Sequence, residues 1–257
     1  MSARQVYRYL RGLKPDDICL IDICSGREVV VLMDAMYWGK KFGVVIFQDH
    51  NSGDVLWYKF IARKECVADY EEGLSHLKQA GAIINGIVCD GLIGLRERMI
   101  EYRFQYCQFH QLLTIKKYLT KNPKTEAGIE LLHLTEQIFH TDKESFVGAF
   151  GQWERRWRDY LCERNEPVAG KHLGEFKHKR LRSAWRSLRR NMPWLWTFYD
   201  YPEAGIPNTN NALERLNGII KDLLRRHWGI SLEKRKLLIS KKLKAYNPHR
   251  KRQLWRF

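Results

Sequence analysis

Long apolar runs, a signal-peptide core and closely paired cysteines are all missing from this chain of 257 residues. No apolar run approaches the roughly 20 residues that a membrane-spanning helix needs, so we expect no membrane partner. Residues 1–13 carry arginine and tyrosine in place of an apolar signal core, which argues against secretion. The six cysteines include no Cys-x-x-Cys pair, which excludes a zinc ribbon, and their scatter favours a reduced state. We therefore expect a cytoplasmic protein.

The chain has fewer acidic than basic residues. The 45 Lys and Arg residues outnumber the 29 Asp and Glu residues, which gives a formal net charge of +16. A surface this basic attracts polyanions, and nucleic acid is the expected partner. Residues 151–190 contain 12 basic and 5 acidic residues, and residues 241–257 contain 7 basic residues and no acidic one. These two regions have the composition of a phosphate-binding surface.

The first half of the chain has the pattern of a sheet. Residues 29–33 are a continuous run of Val, Leu and Met, as expected for a central strand buried on both faces, and the run ends at Asp34. Two further apolar runs, at 42–47 and 55–60, flank a segment of turn-forming residues at 48–54. We predict three consecutive antiparallel strands.

Helices alternate with strands after this hairpin region. Apolar residues at helical spacing predict a helix over residues 66–80, and the run at 83–89 predicts a buried strand that ends at Asp90. A short helix follows from Gly91 to about residue 100, and then a strand over 103–108. The order β-β-β-α-β-α-β is typical of an α/β fold with an RNase H-like mixed sheet core.

The chain then divides into regions of different composition. Residues 1–27 precede the core as a leader or the remnant of an N-terminal DNA-binding region, and residues 28–110 form the first part of the core. Residues 111–205 have no strand pattern, and we predict an all-α insertion with its own small core, in which most of five tryptophans are buried. Residues 206–230 form the last core helix, with Asn208 and Thr209 as cap residues. Residues 231–257 are predicted to be a basic C-terminal tail.

Asp34 and Asp90 occupy the same kind of position, at the end of a strongly apolar strand. If the two strands are neighbours, the carboxylates converge on one edge of the sheet, where a divalent cation would relieve their repulsion. Carboxylate ligands suit Mg²⁺ or Mn²⁺. The alternative is that each Asp simply ends a strand and begins a turn.

Glu214 lies in the segment Asn-Asn-Ala-Leu-Glu-Arg-Leu-Asn-Gly at residues 210–218. On a helix, its neighbours three and four residues away are asparagines and Gly218, which leave an uncrowded polar face beside an apolar stripe. From this face the carboxylate could reach the metal site of the two aspartates. The alternative is a solvated Glu near Arg215 or Lys221.

Cys107 and His110 form a Cys-x-x-His pair, which is half a zinc site at most. We predict a structural pair or an active-site-adjacent one, with His110 in an accessory catalytic role near the scissile phosphate. The alternative is a buried cysteine and a capping histidine.

Basic residues of the insertion are predicted to contact DNA phosphates, with a solvated helical face as the alternative. Tryptophan and arginine could also stack on unpaired bases, although tryptophan at helical spacing is more often part of a core. The residues predicted to bind DNA are Lys177, Lys179, Arg180, Arg182, Arg186, Arg189, Arg190 and Lys221.

Four segments occur in a telling order: VLMDAMYWG at residues 31–39, Cys-Asp-Gly at 89–91, Cys-x-x-His at 107–110 and NALERLNG at 211–218. This set resembles the Mutator-like group of DDE transposases from bacterial insertion sequences, over residues 28 to 230. In that group the first Asp ends the first strand, the second ends the fourth, and Cys-x-x-His follows on the fifth. A helical insertion precedes the helix with the Glu.

The resemblance implies a function. Two Mg²⁺ (or Mn²⁺) ions per active site would lie between Asp34, Asp90 and Glu214, the enzyme would cut transposon ends, and the resulting 3′-hydroxyl would attack target DNA. It also implies self-association on DNA and a place at the bacterial nucleoid. Only about 27 residues precede the first strand, where family members have a DNA-binding region; this departure is typical of a truncated product or a partial open reading frame and leaves autonomous recognition of transposon ends open.

Two alternatives stay open. An RNase H-like nuclease such as a junction resolvase would cleave DNA without joining it, although the long helical insertion argues against this class. A truncated or domesticated transposase would bind DNA only: the retained carboxylates argue against that, and the short N-terminus argues for it.

Overall fold

A computed structural model describes residues 18–20, 25–39, 42–166, 174–227 and 229–246. Most of the predicted N-terminal remnant and the end of the predicted tail therefore lie outside the described residues. Among the described helices, none combines the length and the apolar character that crossing a membrane requires.

A six-stranded mixed sheet forms the centre of the molecule. Its strands are β1 (Ile18–Leu20), β2 (Glu28–Trp38), β3 (Phe42–Asp49), β4 (Val55–Ile61), β5 (Ile83–Cys89) and β6 (Phe104–Tyr106). The spatial order is β1-β4-β3-β2-β5-β6. Strands β1 to β4 pair in antiparallel fashion, whereas β2 pairs parallel to β5 and β5 parallel to β6. This is the RNase H-like arrangement, with β1 added at one edge, and it confirms the predicted fold class.

Helices surround the sheet. They are α1 (Val67–Gln79), α2 (Leu95–Arg98), α3 (Gln108–Leu119), α4 (Glu126–Glu136), α5 (Lys143–Arg156), α6 (Arg158–Cys162), α7 (Lys179–Asn191), α8 (Thr197–Asp200), α9 (Asn211–Arg226) and α10 (Leu232–Lys244). Short 3₁₀ turns lie at Gln137–Phe139, Met192–Trp194 and Pro202–Ala204.

Strand β2 does not end at Asp34, as the apolar run suggested. It continues to Trp38, because residues 34–38 keep pairing with β3, from Asp34 opposite Ile46 to Trp38 opposite Phe42. The parallel pairing with β5, in contrast, has its last pair at Leu32 and Val88. Asp34 thus lies where β2 loses its parallel neighbour, which opens the sheet on that side.

Two local predictions fail for reasons of backbone geometry. The helix predicted from Gly91 is only the single turn α2, because Gly94 precedes it with a φ of 84°, outside the helical region. The strand predicted over 103–108 is shorter, and α3 begins at Gln108. Cys107 therefore caps a helix and His110 lies in its first turn, where the resemblance had placed them on a strand.

The predicted insertion is helical, as expected, apart from an isolated bridge between Arg164 and Phe176. It does not have a core of its own. Phe150 and Leu188 of the insertion belong to the same buried cluster as Val31 and Phe47 of the sheet, so α1 and the insertion cover one face of the sheet with a continuous core. Of the five tryptophans, the buried ones are Trp153 and Trp196, and those only partly buried are Trp157, Trp185 and Trp194.

The other face of the sheet packs against α9 and α10. Apolar residues of both helices, such as Leu216 and Ile239, share a buried cluster with Val30 and Leu32 of β2. Part of the predicted tail is therefore a core element: Ser231 caps α10 by accepting a hydrogen bond from the Lys234 backbone. The lysines of this helix mask its apolar stripe in the sequence.

Candidate active site

Three elements bring Asp34, Asp90 and Glu214 toward one another. Asp34 is in β2, beyond the last pair with β5; Asp90 directly follows β5; and Glu214 is in the first turn of α9. Side chains alternate along a strand, so Asp34 shares a face with Leu32, which packs against α9. As whole residues, all three are half-buried.

Asn217 of α9 holds the Asp34 carboxylate. Its side-chain amide donates a hydrogen bond of 2.6 Å to Asp34 Oδ2, and the backbone N–H of Ala35 donates one of 2.8 Å to Oδ1. These contacts fix the orientation of Asp34 relative to the helix that carries Glu214. In the sequence Asn217 was visible only as part of a polar helix face, and no signal singled it out.

The charges of the site act strongly on Asp34. Burial of its carboxylate, together with the charges of Asp90 and Glu214, raises the pKa of Asp34 to about 8, while the Ala35 hydrogen bond and Lys221 act in the opposite direction. Asp90 and Glu214 are therefore both close enough to Asp34 for their charges to repel its carboxylate. Repulsion of this kind is what a bound cation relieves.

Asn210 ties the start of α9 to the rest of the site. Its side-chain amide donates a hydrogen bond of 3.1 Å to the Met33 carbonyl in β2, and its backbone N–H lies 3.3 Å from Cys107 Sγ. The Glu214 backbone N–H in turn donates to the Asn210 carbonyl. Asn210 thus connects the strand of Asp34, the helix of His110 and the helix of Glu214.

Cys107, His110 and Glu214 form a second cluster that shares Glu214 with the carboxylates. One potential ligand atom of each lies within 4.8 Å of the others, and His110 Nε2 is 3.6 Å from Glu214 Oε1. This Glu214 oxygen is buried and has no hydrogen-bond partner. The structure thus brings the predicted Cys-x-x-His pair and the predicted catalytic Glu together.

The chemistry of the donors decides which cation fits. Burial raises the pKa of the Cys107 thiol to about 11, and Cys107, His110 and Glu214 together offer three ligands, one fewer than a closed zinc site needs. Asp34, Asp90 and Glu214 offer carboxylate oxygens, which suit Mg²⁺ or Mn²⁺. The buried, unpartnered Glu214 oxygen and the mutual repulsion felt by Asp34 both fit such a cation.

A further carboxylate near Asp90, that of Glu65, was not predicted from the sequence. It precedes α1, and its backbone N–H donates a hydrogen bond of 2.6 Å to the Tyr37 hydroxyl oxygen. Burial raises its pKa, and the charge of Asp90 adds to this effect. No strand end or motif marks Glu65 in the sequence, because a loop positions it.

Gly91 explains part of the Cys-Asp-Gly segment. A Cβ atom at Gly91 would lie 2.1 Å from the Tyr106 hydroxyl oxygen, so a side chain there would displace the ring. The chain after Asp90 can pass this close to β6 only because residue 91 is glycine.

The predicted DNA-binding residues fall into two groups. Arg182 is buried: its guanidinium lies 3.4 Å from the centre of the Phe176 ring and donates to the Leu161 carbonyl. The structure assigns it a packing role in place of the predicted phosphate contact, because Phe176 and the segment that contains Leu161 cover this end of α7. Arg186, Arg189 and Arg190 lie further along the same side of the helix and are exposed. We call these three the arginine face of α7.

The other predicted basic residues are exposed, and most are engaged at the protein surface. Lys177 lies 3.5 Å from Glu163, Lys179 pairs with Glu175, and Arg180 donates a hydrogen bond to the Lys117 carbonyl. Lys221 lies within electrostatic range of Asp34. Seven of the eight predicted residues are thus exposed, and Arg182 is the buried one.

Comparison with known proteins adds little to this geometry. No family model matches the chain, and no curated protein sequence matches it. Among solved structures, the large terminase nuclease from thermophilic phage G20c is similar at 12% sequence identity, over 74% of this chain and 98% of that one, with a TM-score of 0.24. A superposition this poor carries no argument about function.

Proposed function

We propose that the chain is a metal-dependent DNA-cleaving and DNA-joining enzyme, a DDE transposase related to the Mutator-like group. One observation carries the proposal: Asp34 lies on one, and Asp90 directly follows the other, of two neighbouring parallel strands of an RNase H-like sheet, and Asp90 and Glu214 of α9 are close enough for their charges to raise the pKa of Asp34. Perturbed carboxylates in such a position are typical of catalytic sites.

The side chains of the site have distinct roles in this proposal. Asp34, Asp90 and Glu214 would hold Mg²⁺ or Mn²⁺, which when bound would stabilise charge on the attacking and leaving oxygens of a phosphate. Asn217 keeps Asp34 in one orientation through its 2.6 Å hydrogen bond. His110, beside Glu214, is placed to exchange a proton with a phosphate oxygen or a hydroxyl.

The substrates in this proposal are two DNA molecules, a transposon end and a target. The exposed arginine face of α7 supports contact with phosphates, as does Lys221 beside Asp34. Strand transfer at paired ends calls for two active sites, so we propose that the chain self-associates on DNA.

A strand-transfer assay tests the proposal. An end-labelled duplex from the DNA that flanks the gene would be incubated with a supercoiled target plasmid and Mg²⁺, with wild type and Asp34→Asn side by side. We expect cleavage and joining by the wild type and neither by the variant. Cleavage without joining would support a nuclease instead, and DNA binding without any cleavage by the wild type would leave only a binding function.

A further inference from the structure

We propose that a groove between α3 and α7 holds an unpaired segment of a DNA strand and leads it to Asp90. This inference rests on the proposed function, because it concerns the same site. It goes further by naming the form of the nucleic acid next to the carboxylates and the residues that hold it.

Two adjoining clefts form the groove. One, of about 340 Å³, is lined by Asp90, Thr114 and Lys117, and the other, of about 680 Å³, by Trp185 and Arg186. Tyr118, Ser187 and Arg190 line both clefts, so the two clefts are direct neighbours. We call them together the α3–α7 groove. It connects the carboxylate site with the arginine face of α7.

The charges along the groove suit a phosphate backbone. Lys117, Arg186 and Arg190 are exposed, and Arg189 forms only a long ion pair of 3.8 Å with Glu154. Glu97 is the acidic residue that lines the groove beside Asp90. The arginines lie at positions i, i+3 and i+4 of α7 and so project from one side of the helix. A strand in the groove would have its phosphates against this side.

The aromatic side chains favour an unpaired strand. Tyr118 and Trp185 are half-buried in the groove walls, and the Trp185 indole is anchored by a hydrogen bond to Glu154. The Arg189 guanidinium lies 5.6 Å from the centre of the Trp185 ring. Fixed aromatic rings beside cationic groups are how proteins bind single strands, because every unpaired base has a face that can stack.

The volume of the groove also favours an unpaired strand. Clefts of roughly 300–1,000 Å³ enclose ligands the size of small molecules, which corresponds to a few nucleotides and not to a double helix. A duplex would have to lie outside, with only one strand entering. The strand that reaches Asp90 is therefore separated from its complement at the point of cleavage.

DNA binding measured by fluorescence anisotropy in EDTA separates this inference from catalysis. The probes are a fluorescein-labelled blunt duplex and the same duplex with a short single-stranded extension at its 3′ or 5′ end. The variants are Arg186→Gln/Arg190→Gln and, as a control of equal charge on another helix, Arg225→Gln/Arg226→Gln. Trp185→Leu, checked for folding by circular dichroism, tests the stacking surface.

We expect the wild type to prefer one extended probe over the blunt duplex by at least ~10-fold, since stacking of a single base is worth roughly this much or more. Arg186→Gln/Arg190→Gln and Trp185→Leu should abolish the preference, and the control pair should keep it. Equal binding of blunt and extended probes by the wild type, or an equal loss of preference in the control pair, would overturn the inference.

The two proposals can fail separately. If the wild type cleaves and joins DNA with Mg²⁺ but does not prefer an extension, the groove inference fails and the proposed function stands. If the preference is present and depends on Arg186, Arg190 and Trp185, but no cleavage occurs with Mg²⁺, the groove inference stands and the proposed function fails.

Discussion

The carboxylate site and the arginine face of α7 are both made of charged side chains, but they are built in opposite ways. Asp34 is held by two hydrogen bonds and surrounded by protein. Arg186 and Arg190 extend from one helix into solvent. Chemistry at a phosphate needs fixed geometry and strong local fields, whereas contact with a flexible strand needs reach and tolerance. These two requirements are met by different parts of the molecule.

The largest effect should come from Asp34→Asn. We expect DNA cleavage to fall by ~10³-fold or more, because the substitution removes a charge that would hold the metal. DNA affinity should change by less than ~3-fold, because phosphate contacts supply most of it. Cleavage gels and anisotropy on the same preparations measure both. Asp222→Asn, an exposed aspartate on α9, is the control. If Asp34→Asn abolished binding and cleavage equally, the two regions would not be functionally separate.

The second prediction concerns pH. The folded protein holds the Asp34 proton up to about pH 8, whereas an unfolded chain releases it near pH ~4. The free energy of unfolding of the metal-free protein should therefore fall by on the order of a few kcal/mol as the pH rises from about 4 to about 8. Asp34→Asn should lack this part of the decline, which urea titrations at several pH values would reveal. As a control, Arg186→Gln should leave the dependence of the free energy of unfolding on pH as it is in the wild type. If Asp34→Asn showed the same dependence on pH as the wild type, the raised pKa of Asp34 would be contradicted.

Asn217→Ala should have an intermediate effect. Loss of the hydrogen bond to Asp34 should lower the rate of cleavage by ~10- to 100-fold, as is common for residues that orient a metal ligand. Asn211→Ala, on the exposed side of the same helix, should cleave at the wild-type rate. Measuring the rate over a range of Mg²⁺ concentrations sharpens the prediction, since a displaced Asp34 should raise the Mg²⁺ requirement. If Asn217→Ala had the wild-type rate of cleavage and the wild-type Mg²⁺ requirement, the hydrogen bond from Asn217 would not be needed to orient Asp34.

The smallest effect should distinguish two neighbouring arginines of α7. Arg182→Ala should reduce the free energy of unfolding by ~1–3 kcal/mol, because it removes a buried hydrogen bond and a cation–π contact. Arg186→Ala should change it by less than ~0.5 kcal/mol, as is usual for exposed sites. DNA affinity should fall more in Arg186→Ala than in Arg182→Ala. Equal effects of the two substitutions on stability would contradict the buried position of Arg182 and the exposed position of Arg186.

The sheet could be predicted because its strands are continuous apolar runs. The strand over residues 83–89 has the predicted limits, because isoleucine, valine and cysteine occupy both of its ends even though Asn85 and Gly86 interrupt the apolar run. The continuation of β2 through Asp34 could not be predicted, because pairing with β3 decides it and not the local pattern.

The candidate site was predictable only in part. Two aspartates after apolar runs are visible in a sequence, and Glu214 is visible as one residue of a polar helix face. Asn217, Glu65 and the buried position of Arg182 depend on contacts between distant elements, for which a single sequence carries no signal. The helix α10 was missed for another reason, because lysines interrupt its buried leucines.

The hydrogen bond between Asn210 and Met33 forms late, because it needs both ends of the chain. It joins residues 177 positions apart, with the whole helical insertion between them. Chains are synthesised from the N-terminus, and contacts of such long separation are slow to form. Asp34 and Asp90 emerge from the ribosome long before Glu214 does. A chain that is still being synthesised therefore contains only two of the three carboxylates, and the proposed metal site is completed only after Glu214 has been added.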